Sequence, residues 1–304
     1  MRTILVTGAS GFVGRHVCRA AAARGDRVVG IGLGDWPEET WRQWGLSAWR
    51  DLDVTLESLD ALAIAPDVVI HCAGSASVGF SLENPAQDFR STVGTTVEVL
   101  EYLRTRAPEA VLVYPSSGAV YGRATNLPIN EDNPLAPISP YGVHKKITEE
   151  LCRSYGGSFG VRVAILRIFS AYGTGLRKQL LWEACGKAMM GDNRFGGTGR
   201  ATRDWVHVED VARLLLIAGD HADIRAATVN CATGHDVAVE SILAVLFEAL
   251  GLSLKAEFTG SARIGDPDRV AGDPARAAAW GWAPEREWQE GVREYARWFL
   301  ETNP

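Results

Sequence analysis

The chain has 304 residues, 46% of them hydrophobic and 22% charged, and a formal net charge of −6. This is a globular composition, and it excludes a disordered chain or a broad basic face for nucleic acid or anionic lipid. No apolar run reaches the roughly 20 residues of a membrane helix, and no secretory leader pattern opens the sequence, so a cytoplasmic protein is expected.

Taken in order, strand-like runs fall at 3–6, 27–31, 67–71, 110–114 and 162–168, with a weaker one at 48–50. Helical patterns fill the intervals, at 14–23, 85–106 and 141–154. Continuous apolar strands alternating with helices indicate a parallel sheet covered on both faces. After residue 170 only short strands appear, with helices expected at 208–218, 239–250 and 287–301. The expected fold class is α/β, a Rossmann doubly wound parallel sheet with a smaller C-terminal α/β substrate domain. Residues 1–170, with about 204–228, form the dinucleotide-binding unit; 171–203 and 229–304 form the substrate unit. The chain is expected to return to the main sheet near 205–218. Trp36, Trp41, Trp44 and Trp49 crowd the stretch after the second strand, where packing is a better reading than a ligand platform. Cys18, Cys72, Cys152, Cys185 and Cys231 show no CxxC spacing, so buried thiols are expected, without zinc or disulfides.

The run Gly8-Ala9-Ser10-Gly11-Phe12-Val13-Gly14 follows the first strand and opens the first helix. Glycine at these positions permits a tight turn and lets backbone N–H groups approach a pyrophosphate, which the helix dipole also favours. Gly8, Ser10, Gly11, Phe12, Val13 and Gly14 are therefore candidate dinucleotide contacts. Gly32 stands where an acid would hold the adenosine ribose and select NAD. No Arg or Lys follows before Arg42, so NAD is the expected cofactor and NADP stays open. Asp35 is a candidate for the ribose and Arg15 for a phosphate. Asp51 and Leu52 are placed for adenine, although Asp51 also suits a helix cap. Cys72, Ala73 and Gly74 end the fourth strand with small residues past which a cofactor fits.

Tyr141 and Lys145 are spaced i, i+4, on one helical face. A free tyrosine titrates near pH ~10. A neighbouring ammonium favours the phenolate, so the pair suits acid–base work on an alcohol or carbonyl. Ser117 follows the fifth strand, at the sheet edge where ligands bind, and is placed to hydrogen-bond the reacting oxygen. His144 lies off that helical face and reads as structural.

Together the runs 7–14, 69–71, 116–122 and 141–145 resemble the extended short-chain dehydrogenases/reductases, the NAD-dependent epimerase/dehydratase family that acts on nucleotide sugars. The resemblance continues through 167–173, 197–208 and 263–266. It implies Tyr141 as acid/base, Lys145 on the nicotinamide ribose and Ser117 on the sugar hydroxyl. Arg203 and Arg263 match positions that grip a substrate diphosphate, as guanidinium forks do, with structural salt bridges the alternative. Arg177, Lys178 and Ser170 join the substrate candidates. Ser91 and Ser170 replace family asparagines. Gly118-Ala119 stands where dehydratases carry the Asp-Glu pair that eliminates water. The resemblance also implies a homodimer through the helices at 85–106 and 141–156, with Leu100, Leu103, Ile147 and Leu151 as apolar candidates that serve equally as core.

Three functions follow. A nucleotide-sugar epimerase, at C4 and with no net use of coenzyme, leads. An NAD(P)H-dependent reductase of a 4-keto-6-deoxy sugar nucleotide uses the same three residues in one direction, and Gly32 leans that way. A non-catalytic dinucleotide sensor is opposed by the intact Ser117, Tyr141 and Lys145. A nucleotide-diphosphate sugar is the expected partner; nucleic acid, membrane and metal are not.

Overall fold

A computed structural model describes residues 1–260 and 268–303. Strands β1 (Thr3–Thr7), β2 (Arg27–Gly32), β3 (Ala48–Asp51), β4 (Val68–His71), β5 (Val111–Ser117) and β6 (Arg162–Ile168) come first. Between them lie α1 (Phe12–Ala23), α2 (Glu38–Gln43), α3 (Leu56–Asp60), α4 (Val78–Glu83), α5 (Pro85–Phe89), α6 (Thr95–Thr105) and α7 (Pro140–Phe159). There follow β7 (Ser170–Tyr172), α8 (Gln179–Met189), β8 (Arg194–Phe195), β9 (Thr202–His207), α9 (Val208–Ala218), β10 (Ala227–Cys231), β11 (Asp236–Ala238), α10 (Val239–Ala249), β12 (Glu257–Phe258), α11 (Ala275–Ala279) and α12 (Trp288–Thr302).

The main sheet has the order β10-β6-β5-β4-β1-β2-β3, every pairing parallel. Its strands are apolar because both faces are covered. Val6, Ile70, Val113 and Leu166 meet Val17 of α1 and Val211 and Leu215 of α9 on one face. Leu5, Val69, Leu112 and Ile165 meet Leu100 and Leu103 of α6 and Cys152 of α7 on the other. The strand order reverses between β1 and β4, which opens a ligand crevice beyond their carboxyl ends. Beside it stands a three-stranded sheet, β11-β9-β7, whose core is built from α8, α10 and α12 through Leu181, Leu243, Phe247, Tyr295 and Phe299. No helix among the described residues is long and apolar enough to cross a membrane.

Three expectations change. The strand at 205–207 belongs to the small sheet, and β10 is the strand that rejoins β6; only α9, packed on α1, returns where expected. The helix expected at 85–106 is interrupted by a π-helical turn, Arg90–Gly94. There Thr95 and Thr96 hydroxyls donate to the carbonyls of Ser91 and Thr92, each at 2.7 Å, a back-bonding that disturbs regular helix. Leu100 and Leu103 lie in the core and Leu151 packs on it, whereas Ile147 is exposed. The tryptophan stretch packs into the core around α1, with Trp36 and Trp49 edge to face at 5.2 Å. All five cysteines are free thiols.

The turn from β1 into α1 depends on its glycines. Gly8 has φ +63, and a Cβ there would lie 2.6 Å from the Ala73 nitrogen. A Cβ at Gly14 would lie 2.2 Å from the Gly8 carbonyl oxygen. Backbone has nowhere to retreat at such distances, so Gly14→Ala is expected to destabilise the fold by about 2 kcal/mol or more. Thermal unfolding reads this; an unchanged Tm would show that the turn does not need the contact.

Candidate active site

Three elements converge at the carboxyl edge of β5. Ser117 ends the strand and caps a 3-10 turn, Gly118–Tyr121, by accepting from the Ala119 N–H at 3.2 Å. Helix α7 starts at Pro140, behind Ser139, whose hydroxyl accepts from the Gly142 N–H at 3.2 Å. Gly142 lets the helix lie directly on the turn: a Cβ there would be 2.7 Å from the Ala119 carbonyl oxygen. Tyr141, the second residue of α7, is thereby delivered to the turn that Ser117 caps. Its backbone N–H donates to Ser81 Oγ of α4 at 3.1 Å.

Lys145 is buried one turn further on. Its Nζ donates to the Pro115 carbonyl at 2.9 Å and lies 4.8 Å from the Tyr114 ring centre and 5.9 Å from that of Tyr141. Burial pushes the ammonium down to about 8. The expectation that Lys145 lowers the tyrosine is corrected here. Burial holds the Tyr141 phenol above its ordinary value, and the Ser117 side chain is what pulls it back. The Lys145 head is engaged with Pro115 instead.

A buried polar network lies behind the triad. Glu149, four residues after Lys145, accepts from Ser116 Oγ at 2.7 Å and from Arg167 of β6 through Nε at 3.0 Å and Nη2 at 2.7 Å. Burial alone would raise the Glu149 carboxyl, but Arg167 outweighs it and holds it below the usual range. Arg167 Nη1 also donates to Tyr121 Oη at 2.9 Å, and Tyr121 donates to Asn230 at 2.7 Å. The sequence reading missed this network, although an arginine inside an apolar strand and a glutamate one turn after Lys145 both signalled it. It also missed Asp88, fully buried on α5, which meets His144 Nδ1 at 2.5 Å and ties α5 to α7 beside Tyr141.

The dinucleotide candidates line the crevice. Gly8, Gly11 and Gly14 form the turn, and Gly11 caps α1 with no side-chain hydrogen bond, leaving the amides of the first helical turn without a side-chain cap. Phe12 and Val13 open the helix, and Ser10 Oγ faces the Leu33 carbonyl at 3.5 Å. Cys72, Ala73 and Gly74 follow β4; the Ala73 N–H donates to Thr7 Oγ1 at 3.2 Å, and burial pushes the Cys72 thiol up to about 12. His71 bridges Thr7 and Thr96 at 2.7 and 3.1 Å, joining β1, β4 and α6 under the crevice, and burial holds it down at about 3. Asp51, exposed at the end of β3 beside exposed Leu52, accepts from the Gly34 N–H at 3.0 Å. A Cβ at Gly32 would come within 3.1 Å of the Trp49 ring and 3.4 Å of Gly8 Cα. A glycine turn in which Gly8 and Gly14 leave no room for a Cβ, opening on uncapped amides, suits a dinucleotide.

Substrate candidates lie on the small sheet. Ser170 opens β7 opposite Trp205 of β9, and Arg203 of β9 donates through Nη1 to the Thr202 carbonyl at 2.8 Å. The adjacent Asp204 is fully buried and accepts from Thr233 N, Thr233 Oγ1, Gly234 N and Gly272 N at 2.7 to 3.1 Å, which fixes β9 to the end of β10. Arg177 is exposed, over the rings of Trp182 on α8 and Trp298 on α12. Arg263 lies outside the described residues. No group of three or more His, Cys, Asp or Glu able to hold a metal occurs among the described residues.

Fold and site define an enzyme of the short-chain dehydrogenase/reductase type, with a dinucleotide cradle beside a serine, a tyrosine and a lysine. The chain belongs to the NAD dependent epimerase/dehydratase family, whose profile matches residues 4–232. It is 30% identical to a UDP-glucose 4-epimerase of Azospirillum brasilense, over 95% of this chain and 89% of that one. It is 27% identical to UDP-glucuronate 4-epimerase 2 of Arabidopsis thaliana, over 98% of this chain and 76% of that one. The crystal structure of UDP-glucose 4-epimerase from Brucella ovis in complex with NAD superposes with a TM-score of 0.86 at 28% identity, covering 98% of both chains.

The site yields one titration. In 15N NMR of the protein without ligand, Lys145 Nζ is expected to titrate at about 8, ammonium below and amine above, against about 10.4 for exposed lysines. A midpoint above 10 would contradict its burial.

Proposed function

We propose that this chain inverts the C4 hydroxyl of a UDP-linked hexose with NAD as its resident coenzyme. The observation that carries the reading is that α7, packed on the turn capped by Ser117, sets Tyr141 and buried Lys145 at the end of β5 beside the glycine cradle. NAD bound along that cradle supplies a reversible hydride acceptor. Ser117 fixes the C4 oxygen, and Tyr141 exchanges its proton. Lys145 holds Tyr141 and the coenzyme ribose in place from the Pro115 carbonyl. The proton taken by Tyr141 returns by the same oxygen, so these residues end each cycle as they began. Arg203, with Arg263, holds the diphosphate while the sugar turns over. Gly118 and Ala119, directly after Ser117, offer no acid for loss of water.

One-way reduction of a 4-keto sugar nucleotide is the second reading, favoured by Gly32, which presents no acid against a 2′-phosphate. We also infer that two copies pair through α5 and α7, where Phe89, Val143 and Ile147 are 43%, 40% and 37% exposed on one apolar face.

With UDP-glucose and UDP-glucuronate as substrates, the expected products are their C4 epimers, formed without net change in reduced coenzyme. Tyr141→Phe is expected to lower kcat by about 10²–10⁴-fold with little change in coenzyme content. A Tyr141→Phe protein with full activity, or stoichiometric loss of NADH or NADPH, would overturn the proposal.

A further inference from the structure

The first turn of α7 is completed from outside the helix. Pro140 has no N–H to place. Gly142 donates to Ser139 Oγ at 3.2 Å, and Val143 donates to the Ser139 carbonyl at 3.0 Å. A helix start offers the remaining N–H, that of Tyr141, no acceptor of its own. It donates instead to Ser81 Oγ of α4, at 3.1 Å. The Ser81 hydroxyl gives its own proton to the Val78 carbonyl at 2.7 Å, which leaves its lone pairs for Tyr141.

The segment that carries Ser81 is set apart by what it buries. Helix α4 buries only Ser81, and α5 buries only Asp88. Among the described residues no apolar side chain of 78–89 joins a hydrophobic cluster of the core, and Leu82 and Phe89 are exposed. Surface helices ordinarily hold by an apolar stripe. These two hold by polar groups, and both groups are spent on α7. Ser81 takes the Tyr141 N–H, and Asp88 meets His144 Nδ1, three residues further along, at 2.5 Å. A buried hydroxyl and a buried carboxylate are costly unless bonded, so burial favours the one placement that makes both bonds. The segment starts just past Cys72, Ala73 and Gly74, where Ser77 caps α4 by accepting from the Phe80 N–H at 3.2 Å. Helix α7 is therefore registered twice, to the turn after β5 through Gly142 and to the crevice loop after β4 through Ser81.

We propose that Ser81 and Asp88 are positioning residues: their two hydrogen bonds hold the first turn of α7 in register with the coenzyme crevice and so fix the Tyr141 phenol. Both act through α7. A single contact would leave the end of the helix free to rock about it, and a misplacement of about 1 Å costs a reacting group about 10²-fold in rate. The inference rests on the preceding reading for the reaction that Tyr141 serves, but not for where Tyr141 is held.

Ser81→Ala removes only the acceptor. In the full-length protein, with UDP-glucose as substrate, kcat is expected to fall by about tenfold or more, while KM and the affinity for NAD stay within about twofold. Asp88→Val, close in volume, should show the same signature. Ser81→Thr, which keeps the hydroxyl, should recover most of the rate. A residue that only stabilised the fold would lower Tm and leave kcat per folded molecule unchanged. With 15N-tyrosine labelling, the Tyr141 amide should exchange slowly with solvent in the parent and about tenfold or more faster in Ser81→Ala. Should Ser81→Ala fail to fold, Ser81→Cys, close in volume and a weak acceptor, takes its place with the same expectations. Folded variants that turn over within about twofold of the parent, or a Tyr141 amide that exchanges no faster, would overturn the proposal. If the parent itself converts no UDP-hexose, the epimerase reading fails, and the amide exchange alone decides whether Ser81 holds Tyr141.

Discussion

Lys145 and Glu149, one turn apart on α7, hold the end of β5 from a single helical face. Lys145 takes the Pro115 carbonyl and Glu149 takes the Ser116 hydroxyl, so the next residue, Ser117, has little freedom. Tyr141, one turn earlier on the same helix, then meets Ser117 by construction. The clamp works only because its charges are balanced where no water reaches. Breaking a buried carboxylate–guanidinium pair leaves an uncompensated charge, typically at a cost of about 3–5 kcal/mol. Arg167 makes two hydrogen bonds to Glu149 and passes the constraint to Tyr121 and Asn230, and so to β6 and β10. The spacing of Ser117 and Tyr141 is thus set by three strands, β5, β6 and β10, and the helix α7, not by the loop that displays it.

The same logic governs the coenzyme side. The reversal of strand order at β1 and β4 opens the crevice, and His71, neutral and fully buried, binds the two strand ends to α6 beneath it. Above it, no side chain caps the amides that open α1. Positive potential collects there from the helix terminus. An anionic dinucleotide supplies what the protein leaves uncompensated. The small sheet is pinned beside the main one by the four hydrogen bonds of Asp204, next in sequence to Arg203.

Local features were legible in the sequence. The six strands of the first half, the glycine turn and the helix that bears Tyr141 and Lys145 all follow from apolar periodicity and glycine spacing. What escaped depends on partners distant in sequence. Nothing local distinguishes β9 from a seventh sheet strand; burial against α10 and α12 decides it. The π-helical turn needs Ser91 and Thr92 carbonyls to accept from hydroxyls four residues on. The expected lowering of Tyr141 by Lys145 failed because helical spacing fixes a face but not where a long side chain ends. The partners of Asp88 and Glu149, His144 and Arg167, lie 56 and 18 residues away in sequence, and only the fold brings them together. Gln179 gave no signal of its left-handed backbone, φ +68, or of its reach to the Ala76 carbonyl.

The central claim is that one site removes and restores hydrogen at a single sugar carbon. The direct test is conversion of UDP-galactose carrying deuterium at C4, in ordinary water, with the product examined by NMR and mass spectrometry. The account predicts UDP-glucose with the deuterium still at C4 and none in free coenzyme or solvent. Deuterium lost to water, or recovered in released reduced coenzyme, would contradict it.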